Sequence, residues 1–195
     1  MTSGGRRWVG LAVLLGLLAV ALFGAPRTAF DWQPALAGAE PWRALTAVGV
    51  HYSALHLGAN LAGAGLVAAL GALARPSPGL VWAWAAAWPL THWGLAVRPE
   101  LAHYGGLSGV LHAGAAVVAV HLIHAGPRPQ RLVGAALLIG LVAKVASETP
   151  WGPTLRHPPG WDIAIAPLAH ATGLLSGVVC AVVAVAWRSR RRAPG

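Results

Sequence analysis

Apolar residues run through the sequence in six long stretches, roughly Trp8 to Ala25, His51 to Ala74, Leu80 to Val97, Leu107 to Ala125, Leu132 to Ser147 and Ile163 to Trp187. Polar and charged residues cluster between these stretches rather than along them, the pattern a bilayer imposes on helices that cross it. The pattern predicts six transmembrane helices. At ~20 residues per span, six helices use most of the 195 positions and leave short loops. Residues 1–195 therefore read as one all-α, polytopic membrane domain, with a basic tail over 188–195 and no separate soluble domain. Any function must sit inside the bundle.

Composition agrees: 56% of residues are hydrophobic and 10% are charged. The first stretch is longer than the apolar core of a signal peptide, so it reads as an anchor. The formal net charge of +9 could suggest nucleic acid, but its distribution gives another reason for it. With the amino terminus inside, Arg6, Arg7, Arg75, Arg128, Arg131, Arg188, Arg190, Arg191 and Arg192 share one side, with no acid among them. All five acids, Asp31, Glu40, Glu100, Glu148 and Asp162, fall on the other side beside Arg27, Arg43, Arg98 and Arg156. The positive-inside rule then puts both termini in the cytoplasm, and the basic tail becomes a topology anchor that attracts anionic lipid, with no nucleic-acid partner. Trp8, Trp82 and Trp187 are expected at the inner interface, and Trp32, Trp42, Trp93, Trp151 and Trp161 at the outer one. The long connection from Pro26 to Val50 reads as a partly interfacial segment. A single cysteine, Cys180, excludes a disulfide framework and a four-cysteine metal site.

Polar side chains at membrane depth are costly and mark candidate sites. Here they gather on the even-numbered helices: His51, His56 and Asn60 on the second, Ser108 and His112 on the fourth, His170 on the sixth. Every even helix enters from the outer face, so these groups share a shallow depth; Asn60 and His170 come out roughly 10–14 Å below the outer ends of their segments. His56 and Asn60 share a helix face, as do Ser108 and His112. His170 lies on one stripe with Gly173 and Gly177, small residues that let two helix backbones approach. The imidazole then comes within reach of Ser108, a nucleophile facing a base.

A serine hydroxyl attacks only when a neighbouring base takes its proton, and the same imidazole can later protonate the leaving amine. No acid lies within a span, so a dyad is expected, with His112 packed against the His170 ring. The oxyanion requires donors already in place. The N–H groups of Leu107 and Ser108 at the start of the fourth helix can supply them, with His56 and Asn60 adding side chains. Gly105 and Gly106 allow a tight turn and close approach of a substrate backbone. His121 and His124 are expected at the inner interface, His92 and His103 at the outer rim without a role, and Lys144 needs a partner or snorkels to the headgroups.

Taken together, Trp42-Arg43, the segment from His51 to Asn60, Gly106-Leu107-Ser108-Gly109, and Ala169-His170-Ala171-Thr172-Gly173 with Gly177 resemble the rhomboid intramembrane serine proteases over residues 42–180. The resemblance implies Ser108 as nucleophile and His170 as general base and acid. It gives His56, Asn60 and the Ser108 N–H the oxyanion, and His51 a structural role. It also implies a mobile cap over Thr149 to Trp161, and no metal or organic cofactor. The compact core and the string Gly-Leu-Ser-Gly-Val-Leu-His are similar to the rhombosortase branch. That branch implies a bacterial inner membrane, a site facing the periplasm, and membrane-anchored protein substrates with a C-terminal Gly-Gly motif, transmembrane helix and basic tail. His112 departs from the family, standing where many rhomboids place a tyrosine.

Two other readings compete. Nine histidines could serve a haem-binding or metal-conducting membrane protein, pairing His56 with His170. A non-proteolytic rhomboid-like chaperone would be expected to have lost the serine or the histidine, and both are present.

Overall fold

The computed structural model describes residues 2–191 and is all-helical among them. Its long helices are α1 (Ser3–Ala21), α2 (Ala54–Ala74), α3 (Pro78–Trp93), α4 (Ser108–Ala125), α5 (Arg128–Ser147) and α6 (Pro167–Arg190). Arg192 and the end of the basic tail lie outside the described residues. Helix ends differ from the sequence expectation for local reasons. The Thr2 hydroxyl accepts the Gly5 N–H at 3.1 Å and starts α1 early. The Ser53 hydroxyl accepts the His56 N–H at 3.0 Å, so α2 begins after His51. Prolines open α3 and α6, where a missing N–H costs nothing.

Five of these helices are long and apolar enough to cross a membrane. The exception is α3, which stops at 16 residues; the expected span to Val97 tightens after Trp93 into a 3-10 turn, Gly94–Val97. The helices run up and down. Gly4 at the start of α1 packs on the Pro76 carbonyl before α3, and the ends of α4 and α6 meet Ser77 and Leu80 there. The starts of α2, α4 and α6 gather at the opposite end.

The centre of the bundle is α4, whose buried residues run from Gly109 to Leu122. Small residues set its spacing from α6: a Cβ on Gly109 would lie 2.6 Å from the Ala169 carbonyl oxygen, and Cβ atoms on Gly173 and Gly177 would overlap the carbonyls of Gly109 and Ala113. Backbone-to-backbone approach of this kind is the small-residue packing expected of the Gly173/Gly177 stripe. Outward faces carry Leu17, Leu66, Leu73, Leu132, Ile139 and Leu175, all well exposed, a surface suited to hydrocarbon.

Two of the tryptophans expected at an interface are fully buried in the protein. Trp8 is fully buried: it stacks on Trp84 with centroids 4.4 Å apart, donates to the Val67 carbonyl at 2.9 Å, and occupies space left by the missing Cβ of Gly71. Its indole N–H is satisfied by a carbonyl inside the bundle, as a buried tryptophan requires. Trp32 is also fully buried, with its backbone bridged to Tyr104 by two hydrogen bonds of 2.7 and 2.8 Å. Trp82, Trp151 and Trp187 are exposed, as an interfacial role requires.

The segment from Pro26 to Val50 packs more tightly than an interfacial strip. Arg43 is buried, donating to the carbonyls of Thr28 and Asp31 at 2.9 and 3.0 Å and pairing with the carboxylates of Asp31 and Glu40. His92, given no role by the sequence, is fully buried and bonds the Ala44 carbonyl at 2.7 Å, pinning this segment to α3. The plate so formed carries the Ala47 carbonyl, which accepts the Gly106 N–H at 2.9 Å. Through that bond the plate positions the turn that leads into Ser108.

Candidate active site

Ser108 is the first residue of α4, and His170 lies in the first turn of α6. The glycine contacts bring the two helix starts together, and Ser108 Oγ lies 2.8 Å from His170 Nε2. Both line a cavity of about 510 Å³, with Tyr52, His56 and Tyr104 on one side and Leu155, Trp161 and Ile163 on the other. The N–H groups of the first turn of α4 have no intrahelical acceptor and carry the positive end of the helix dipole.

His112, one turn on, stacks on His170 with centroids 4.4 Å apart and planes 18° apart. Its Nδ1 lies 2.7 Å from the Ser108 carbonyl oxygen, so Nδ1 carries the proton and Nε2 is left as an acceptor. Lys144 Nζ donates to that Nε2 at 2.9 Å. The lysine left unplaced by the sequence therefore belongs to the site.

One contact runs against expectation. Glu148, the residue that caps α5, places Oε2 2.6 Å from His170 Nδ1. Its other oxygen is 2.8 Å from Lys144 Nζ. A carboxylate at 2.6 Å requires a proton on Nδ1, which leaves Nε2 unprotonated toward Ser108. The dyad without an acid is thus corrected to a line of three groups, Ser108, His170 and Glu148. Burial alone would raise the Glu148 carboxyl, but the hydrogen bond and charge of His170, together with Lys144, hold it down at about 2. The sequence carried a signal for it: if even helices begin at this end, α5 must finish here, and Lys144 and Glu148 are an i,i+4 pair in its last turn.

The expected oxyanion donors divide. His56 lines the cavity. The Tyr52 N–H approaches its Nδ1 at 3.4 Å, which leaves Nε2–H to face the cavity. Gly106, with φ +137°, presses against that edge: a Cβ there would sit 2.9 Å from His56 Nε2. Asn60 is not among the lining residues; its amide Nδ2 donates to His51 Nε2 at 3.0 Å, and His51 Nδ1 donates to the Gly49 carbonyl at 3.2 Å. Both ring nitrogens of His51 are thus partnered within the fold, to Asn60 and to Gly49. The Leu107 side chain is fully buried in the core, leaving its backbone as its means of reaching the site. Tyr104, unmarked by the sequence, buries its hydroxyl beside Ser108 and Gly109 without a hydrogen bond of ordinary length. Burial pushes that phenol up to about 12, so it remains a donor at neutral pH.

The segment 149–166 covers the cavity. It folds back on itself through paired hydrogen bonds between Arg156 and Ile165 of 2.9 and 2.8 Å. Tethers fix its ends: Arg156 donates to the Glu148 carbonyl at 2.8 Å, Arg98 to the Gly152 carbonyl at 3.2 Å, and Ser53 to Asp162 Oδ1 at 2.8 Å.

Both ring nitrogens of His170 have partners within the site, Ser108 Oγ at Nε2 and Glu148 Oε2 at Nδ1. Among the described residues no three His, Cys, Asp or Glu side chains converge as metal ligands. His103 instead bonds Asp31 at 2.8 Å and His121 bonds the Ala74 carbonyl at 3.1 Å. No protein-family model and no curated protein matches this sequence.

Proposed function

We propose that this chain is an intramembrane serine protease of the rhomboid type, most like the rhombosortases. It cleaves membrane-anchored proteins near the outer end of their C-terminal transmembrane helix. The observation that carries this reading is the 2.8 Å contact of Ser108 Oγ with His170 Nε2 inside a cavity at the shared end of α2, α4 and α6. In the cell the chain crosses a bacterial inner membrane six times, with both termini cytoplasmic and the site facing the periplasm. Support for the sixth crossing comes from α3 and its 3-10 extension, which together reach roughly 32 Å. Support for the orientation comes from Arg6, Arg7, Arg75, Arg128 and Arg188, which collect at the end away from the site.

As Oγ bonds to the substrate carbonyl carbon, the Ser108 proton passes to His170 Nε2. The oxyanion forms against the N–H groups at the start of α4 and His56 Nε2–H, with Asn60 bracing the wall behind through His51. Collapse of this intermediate returns the proton from Nε2 to the leaving amine, and the acyl-enzyme remains on Ser108. Water, or an amine in a transferase variant of the reaction, then releases the acyl group.

Co-expression with a membrane-anchored reporter ending in a Gly-Gly motif, a transmembrane helix and a basic tail tests this. Wild type converts the reporter to the cleaved form, and Ser108→Ala and His170→Ala do not. Cleavage by Ser108→Ala at the wild-type rate contradicts the proposal.

A further inference from the structure

Resting on that reading of Ser108 and His170, we infer that Glu148 is the third working group of the site, and that Lys144 fixes which of its two oxygens faces the histidine. The geometry is specific to atoms. Oε2 accepts a hydrogen bond from His170 Nδ1–H at 2.6 Å, Oε1 accepts one from the Lys144 ammonium at 2.8 Å, and the same ammonium reaches His112 Nε2 at 2.9 Å. Lys144 Nζ also stands 3.0 Å from His170 Nδ1. Both atoms are donors, so this approach is no hydrogen bond and persists because the carboxylate holds both. The charged and titratable groups around Glu148 are Lys144 on its own helix, His112 from α4, His170 from α6, and Arg156 from the covering segment, whose guanidinium bonds the Glu148 carbonyl.

The role follows from proton bookkeeping. During attack, the Ser108 proton moves to Nε2 while Nδ1 keeps its own, and the imidazolium formed is balanced by Glu148, which stays ionised throughout. Before attack, Glu148 holds the only tautomer in which Nε2 can act as base. Glu148 is thus a positioning residue that acts through His170.

Lys144 distinguishes this role from one of packing. In Glu148→Gln, the amide carbonyl is drawn to the Lys144 ammonium, because an NH₂ group there would face another donor. The amide NH₂ is then left facing His170 Nδ1. That forces the proton to Nε2 and removes the base, although shape and volume are unchanged. Replacing Lys144 as well, in Lys144→Met/Glu148→Gln, frees the amide to turn its carbonyl toward Nδ1 and restores the working tautomer.

The test is the second-order rate of labelling by a fluorophosphonate on full-length, detergent-solubilised protein from pH 5 to 10, with Ser108→Ala as the blank and melting temperatures to verify folding. Expected for Glu148→Gln is a loss on the order of 10³- to 10⁴-fold at neutral pH, with a rate that climbs steadily toward alkaline pH where wild type levels off. Lys144→Met/Glu148→Gln should recover at least tenfold over Glu148→Gln, and Glu148→Asp should lie between wild type and Gln. A folded Glu148→Gln that labels at the wild-type rate and pH profile overturns the inference, as does a double variant no faster than Glu148→Gln. Labelling of Ser108→Ala as fast as wild type instead overturns the protease reading itself.

Discussion

Gly173 of α6 faces the carbonyl of Gly109 in α4 with no room for a Cβ between them. Gly109 follows the candidate nucleophile and Gly173 lies one turn beyond the candidate base, so this contact sets the distance across which Ser108 and His170 meet. Gly173→Ala is predicted to push α6 outward, cost about 1–3 kcal/mol of stability, and slow serine labelling more than the stability loss accounts for. Gly140→Ala, on α5 with nothing within 4 Å of a built Cβ, should change neither. Thermal unfolding and labelling rates of the two variants check this.

His56 and His51 should separate kinetically. His56 presents a free Nε2–H to the cavity, and His56→Phe is predicted to reduce kcat about 10²-fold or more by removing an oxyanion donor, with KM little changed. His51 touches Asn60 and the Gly49 carbonyl rather than the cavity, so His51→Ala is predicted to lower the melting temperature and affect the rate less. Steady-state kinetics on a cleaved reporter read out both.

The pairing of Glu148 with His170 and Lys144 predicts a pH dependence with a definite sign. The carboxyl is held near 2 in the folded protein against an ordinary value of 4.5. Its stabilising contribution is therefore complete above pH 4.5 and disappears as the pH falls toward 2. The melting-temperature gap between wild type and Glu148→Gln should be constant above pH 4.5 and close below it.

The meeting of Ser108, His112 and His170 beside the glycine stripe is legible in the sequence, from helical spacing and from the alternation of helices that run up and down. Glu148 lies just past the end of α5, outside the apolar stretch, so hydropathy gives it no mark, and Lys144 is marked only as needing a partner. The same alternation that aligns the starts of α2, α4 and α6 also delivers the end of α5. The burial of Trp8 and Trp32 was not readable, since an indole near a helix end fits an interface or a core equally well; the missing Cβ of Gly71 and the Val67 carbonyl decided it for Trp8.

The Ser53 hydroxyl holds two ends at once, capping α2 and bonding Asp162 on the covering segment. Asp162→Ala is predicted to release that segment without harming α2, raising the labelling rate by bulky fluorophosphonates more than by small ones. Ser53→Ala loses the cap as well and should cost about 1 kcal/mol of stability in addition. Comparing probes of two sizes on both variants tests the assignment.

Locating a fluorophosphonate adduct by mass spectrometry tests most directly whether the Ser108 hydroxyl is the activated nucleophile. A single phosphonylated peptide containing Ser108 is expected in wild type, and no adduct in either Ser108→Ala or His170→Ala. An adduct on another residue, or undiminished labelling of Ser108→Ala, would contradict that assignment.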